Sequence, residues 1–184
     1  MNEAEFDREI SFAEDRATAL SLFGSLLAKE SGLNERLVVV GGSAIQIYTE
    51  GWYVSEDVDL VGDRTRIIPV LRRWGFVERE GRARRVYWFK ESIGYVDLVG
   101  TEDRSGLPTQ VVDSPSGPLR LAPVEALVIR RLVLHSRTGS EAYFEQAERL
   151  ARLFPHSIDW EYVEVNAKYE KVLPVYRRLR NVLG

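Results

Sequence analysis

The chain has 184 residues, of which 45% are hydrophobic and 29% charged, and a net charge of −3 from 25 Lys and Arg against 28 Asp and Glu. This is the composition of an ordinary globular domain with room for a small appended bundle; it excludes a disordered segment and a protein basic throughout that nucleic acid would attract. With no cysteine, disulfides, thiol nucleophiles and cysteine-based zinc sites are excluded as well.

The opening MNEAEFDREI lacks the basic-then-apolar layout of a signal peptide. No apolar run approaches the roughly 20 residues that span a bilayer, so the expectation is a cytoplasmic protein with no membrane partner. Phe6, Ile10, Ala13, Ala17, Leu20, Phe23 and Leu27 recur at three- and four-residue steps and predict one amphipathic helix ending near Gly32. Leu37-Val38-Val39-Val40 reads as a strand covered on both faces, stopped by Gly41-Gly42-Ser43. A short helix over Ala44 to Tyr48 follows, with Ser43 near its N-cap and Gly51 closing it.

Asp57-Val58-Asp59-Leu60-Val61 alternates with period two, which puts both carboxylates on one face of a strand. A helix is expected from about Arg64 to Trp74, then a hairpin of Phe76-Val77 and Val86-Tyr87-Trp88-Phe89 around Gly81. Tyr95-Val96-Asp97-Leu98-Val99 is a further strand carrying one acid, and Gln110-Val111-Val112 a short one in a Gly- and Pro-rich stretch. From Pro123 the pattern is helical: Val124 to Leu134, Ser140 to Phe154, and Asp159 to about Leu183 with a kink at Pro174. The predicted architecture is an α/β (α+β) mixed sheet flanked by helices over residues 1–122, with a C-terminal helical part over 123–184.

Asp57, Asp59 and Asp97 each interrupt an apolar strand, where an uncompensated carboxylate is costly. Three convergent carboxylates repel one another, and a pair of divalent cations, Mg²⁺ or Mn²⁺, would neutralise them and suit phosphoryl or nucleotidyl transfer. The Gly42-Ser43 turn offers backbone N–H groups and a hydroxyl to a triphosphate at a helix start. Ser55 either orients the Asp57 loop by hydrogen bonding or caps a turn.

Between Arg72 and Lys90 seven basic residues face only Glu78 and Glu80. This patch, with Arg79, Arg82, Arg84 and Arg85, reads in two ways: a charged guard on an edge strand, or a surface for RNA phosphates with Tyr87 or Trp88 for stacking. His135 and His156 lack metal-ligand spacing.

Gly42-Ser43, then Ser55-Glu56-Asp57-Val58-Asp59-Leu60, then Tyr95-Val96-Asp97-Leu98, resemble the polymerase-β-type nucleotidyltransferase superfamily. Val40-Gly41-Gly42-Ser43-Ala44 and Pro123-Val124-Glu125-Ala126-Leu127 are similar to the prokaryotic group related to AbiEii-type toxins of toxin–antitoxin systems. The resemblance implies two metals on Asp57 and Asp59, with Asp97 as third ligand and base, and an NTP held by Gly42 and Ser43. The acceptor stays open: RNA, such as a tRNA end, would use the basic hairpin, whereas a protein side chain or a small metabolite would leave it unused. An apolar face on the C-terminal helices would call for a cognate partner such as an antitoxin or for a second copy. The superfamily usually carries a Lys in the helix after the last strand; Arg131 stands at that place, keeping the charge but not the point geometry. Toxin-type relatives tend to open the next helix with Lys-Asp, where this chain has Tyr143-Phe144-Glu145-Gln146. A non-catalytic nucleotide- or partner-binding domain that retains the fold is the rival reading.

Overall fold

A computed structural model describes residues 1–80, 86–102 and 105–184. Within it the chain divides into two compact units, Met1–Ala122 and Pro123–Gly184.

The first unit is built on a seven-stranded mixed sheet in the order β3-β4-β5-β2-β1-β7-β6. The strands are β1 (Val38–Val40), β2 (Asp57–Val61), β3 (Val77–Glu80), β4 (Val86–Lys90), β5 (Gly94–Gly100), β6 (Gln110–Val112) and β7 (Leu119–Leu121). β2 runs parallel to β5 and antiparallel to β1, which in turn runs parallel to β7. One face carries Val39, Val58, Leu60, Val96 and Leu98, all buried. Of the helices of the same unit, α2 (Arg16–Ser31) and α3 (Gly41–Tyr48) pack on the sheet, and α1 (Glu3–Ser11) and α4 (Arg64–Arg73) pack on α2. Phe6, Phe23, Trp74 and Phe76 form the aromatic heart of this layer, with Phe6 stacked on Trp74 at 4.4 Å.

The single helix expected over the first thirty residues is two. The chain turns after Ser11, and Asp15 caps α2 by accepting the Thr18 N–H at 2.8 Å, leaving Phe12 exposed. The apolar steps run on through the break because α1 buries Phe6 and Ile10 and α2 is buried on nearly every side, Ala17, Leu20, Phe23 and Leu27 included. Strand β7, unforeseen in the sequence, is three residues lying directly after Pro118.

The second unit holds four packed helices, α5 (Val124–Thr138), α6 (Glu141–Leu153), α7 (Trp160–Tyr169) and α8 (Leu173–Leu183), around Leu132, Phe144, Leu150, Val163 and Leu179. The helix expected to kink at Pro174 is also two. Lys171 takes a left-handed φ of 61° between them, and Pro174 sits in the first turn of α8, where its missing N–H costs nothing. Among the described residues no helix is long and apolar enough to cross a membrane.

Candidate active site

The pleat sets the site. Because β2 and β5 are parallel and in register, Asp59 lies opposite Asp97 and Asp57 opposite Tyr95. Residues directly opposite point to the same face, and neighbouring strands lie about 4.8 Å apart, so all three acids project from the sheet face turned away from Val58 and Leu60. Asp57 and Asp59 are half-buried, whereas Asp97 is only 3% exposed between the exposed Tyr95 and Val99.

The glycine turn borders the same acids. β1 ends at Val40, opposite Asp59, and Val40 is itself the N-cap residue of α3. Gly41 has a φ of 62°, and a Cβ there would overlap the Asp59 carboxylate, so conformation and space both demand glycine. A Cβ on Gly42 would likewise overlap the Ser55 hydroxyl.

Ser43 is therefore not at the cap but is the third residue of the helix, fully buried, its hydroxyl donating to the Val40 carbonyl at 3.1 Å. What the turn offers an anion is chiefly the backbone N–H groups of Gly41, Gly42 and Ser43, which as the first three of a helix have no intrahelical acceptor. Ser55, also buried, donates its hydroxyl to Asp57 Oδ1 at 3.4 Å.

Among the described residues no three His, Asp or Glu side chains converge closely enough to hold one ion. The expected metal triad is thus a shared face here, with the Asp59 carboxylate resting against Gly41 and Asp57 turned to Ser55. The donor set still fits a hard divalent cation: it is oxygen-only, and two of its members stand in direct cross-strand register.

On the β4 side of the acids lies a cavity of about 390 Å³ lined by Glu56, Asp57, Arg79, Glu80, Tyr87 and Tyr95. Arg79 pairs across the hairpin with Tyr87, whose ring meets Tyr95 edge-on at 6.1 Å. Of the two aromatic residues expected to stack, Tyr87 faces this cavity, while Trp88 is buried on the opposite face with the Arg72 guanidinium 5.2 Å from its ring. Arg82, Arg84 and Arg85 lie outside the described residues. A larger hollow of about 770 Å³ lies among Glu35, Arg36, Asp63, Arg66 and Thr101, and none of the three acids lines it.

Arg131 belongs to the second unit, where it is 6% exposed on α5 with its guanidinium 5.6 Å from the ring centre of Tyr143. His135 Nδ1 meets the Ser140 carbonyl at 3.0 Å, and its Nε2 lies 3.9 Å from Glu141 Oε1. The residue that sequence reasoning passed over is Gln46, a lone amide among Ala44, Ile45 and Ile47, fully buried and bonded to the loop before Asp57.

No family model matches the sequence, and no curated protein matches it. Solved structures do. A crystal structure of an antigenic nucleotidyltransferase-like protein from Paracoccidioides brasiliensis superposes with a TM-score of 0.58 at 14% identity, covering 87% of this chain and 91% of its own. The solution structure of the antibiotic-resistance factor ANT(2'')-Ia gives 0.55 at 17% identity, with 92% and 96% covered. The crystal structure of that protein in complex with adenylyl-2"-tobramycin gives 0.51 at 15%, with 91% and 99% covered. The chain has the nucleotidyltransferase fold.

Proposed function

We propose that this chain is a metal-dependent nucleotidyltransferase that moves a nucleoside monophosphate from an NTP to a hydroxyl. The observation that carries the reading is the register of Asp59 with Asp97 on two parallel strands, beside a glycine turn that opens a helix. Asp57 and Asp59, with Asp97, would hold Mg²⁺ or Mn²⁺, which when bound neutralises the carboxylates and the phosphates. The N–H groups at the start of α3 bind the triphosphate from the β1 side. The acceptor enters from the β4 side, where the cavity opens onto Asp57 and Tyr95. Asp97 takes the proton of the acceptor hydroxyl as its oxygen bonds to the α-phosphorus; the bond to the bridging oxygen breaks and pyrophosphate leaves.

An RNA end as acceptor is favoured by one specific observation: Arg79 and Tyr87 share the cavity wall, a cation for a phosphate beside a ring for a base. That acceptor would also suit a toxin restrained by a cognate antitoxin. A hydroxyl-bearing small molecule, the kind of acceptor the adenylyl-tobramycin complex contains, is the second reading, supported by Glu56 and Glu80 in the same wall.

Incubation with each α-labelled NTP and Mg²⁺ or Mn²⁺, alone, with total RNA or with aminoglycosides, decides among these. Label in RNA supports the first acceptor and label in the small molecule the second. No label under any condition, with NTP bound, returns the chain to a nucleotide-binding role without transfer.

A further inference from the structure

Gln46 lies one turn beyond Gly42 on α3 and is wholly buried. Two of its oxygens hold the segment that leads into β2. Its carbonyl accepts the Gly51 N–H at 2.9 Å, and its side-chain Oε1 accepts the Ser55 N–H at 2.9 Å. One residue therefore pins residues 51–55 at both ends. Ser55, so held, places its hydroxyl 3.4 Å from Asp57 Oδ1.

The other half of the amide makes no such return, because Nε2 is buried with no hydrogen-bond partner among the described residues. An unmet buried donor costs free energy that a methionine of similar volume would not. Packing alone would favour the methionine, whereas the amide oxygen has a task that no apolar side chain can perform.

We infer that Gln46 is a positioning residue for Asp57, acting through Ser55 and tying the acid to the helix whose first turn faces the nucleotide. The inference rests on the metal-dependent nucleotide site proposed above. Gln46 touches neither nucleotide nor acceptor, being fully enclosed.

The experiment is equilibrium binding of ATP, GTP, CTP and UTP to the full chain, with Mn²⁺ and with EDTA, for the wild type and for Asp57→Asn, Gln46→Met, Ser55→Ala and the Gln46→Met/Ser55→Ala double variant. Asp57→Asn sets the scale for losing the acid. Gln46→Met and Ser55→Ala are each expected to weaken Mn²⁺-dependent binding by about 10- to 100-fold, the usual cost of removing a group that orients a metal ligand. Binding in EDTA should not change, and the double variant should be no weaker than the worse single one, since both cut the same chain of contacts.

Wild type that binds no NTP in Mn²⁺, or Asp57→Asn that binds like wild type, overturns the site itself. An impaired Asp57→Asn beside wild-type binding in both other variants, or additive losses in the double one, overturns only the role of Gln46. Should Gln46→Met fail to fold, Ser55→Ala, which removes a single oxygen, decides alone.

Discussion

Asp59 and Asp97 stand directly opposite one another on parallel strands β2 and β5, so two carboxylates share one rung of the sheet. Two like charges on one rung repel through space, and a divalent cation bound between them would offset that repulsion. Asp59→Asn, and equally Asp57→Asn, should abolish transfer and Mn²⁺-dependent NTP binding. In metal-free buffer both variants should melt at or above the wild-type temperature. A melting point well below wild type would show that the acids stabilise the fold rather than await a ligand.

Asp97 is assigned the acceptor's proton. Asp97→Asn preserves size and one oxygen but cannot take the proton, so turnover should fall by about 10² to 10⁴ while NTP affinity falls modestly. Steady-state rates beside binding titrations separate the two. Wild-type turnover in Asp97→Asn would leave it a strand residue.

Gly41 tests the glycine turn. Alanine there must adopt a φ near 62° and push its methyl into the Asp59 carboxylate. The backbone conformation alone should cost about 1–3 kcal/mol, read as a lower urea midpoint. NTP binding should weaken as well, because relief of the overlap moves either Asp59 or the start of α3.

Phe6 belongs to the first unit although it enters on the separate helix α1. It is 0% exposed and stacked on Trp74 at 4.4 Å. Phe6→Ala should therefore destabilise that unit by about 3–5 kcal/mol in urea denaturation, the usual cost of emptying a buried aromatic position. A loss under 1 kcal/mol would mean that α1 is a loosely attached arm.

Lys90 predicts an alkaline limb. Burial lowers the pKa of its ammonium, but hydrogen bonds to Glu3 and Asp7 outweigh burial and hold it above its ordinary value of 10.5. A folded pKa above the unfolded one contributes stability that is complete below 10.5 and is lost as pH rises through the folded value. Melting temperatures of the wild type should thus drop across that window, and those of Lys90→Met should drop less. Parallel curves would assign the alkaline loss to other groups.

Much of the sheet was legible because period-two alternation is a direct image of the pleat, and an acid inside it is conspicuous. β2 follows the expected Asp57–Val61, and β5 extends the expected strand by a residue at each end. Nothing local in either strand says that they pair in parallel with Asp59 beside Asp97, since register comes from the assembled sheet. β3 was half seen for a related reason: Glu78, Arg79 and Glu80 show no apolar period, as suits an edge strand whose charges discourage pairing with another chain. The break after Ser11 had a signal in Asp15, a good N-cap residue, which the continuing apolar steps masked. The break at Lys171 had none, because a left-handed residue is usually a glycine and here is not. Gln46 could have been found as the lone amide in an apolar helix, though not the bond it makes nine residues on.

The four tryptophans are distributed so that the molecule carries its own optical readout. Trp74 and Trp88 are buried in Met1–Ala122, Trp160 stands in Pro123–Gly184, and Trp52 lies within the segment that Gln46 pins, with 49% of its surface exposed. An indole half in water within the segment that leads to Asp57 is placed to report a change in that segment's exposure, whereas the enclosed pair is shielded from solvent. Fluorescence of a chain that keeps only Trp52 would follow the loop in real time, and one that keeps only Trp160 would follow the helical unit by itself.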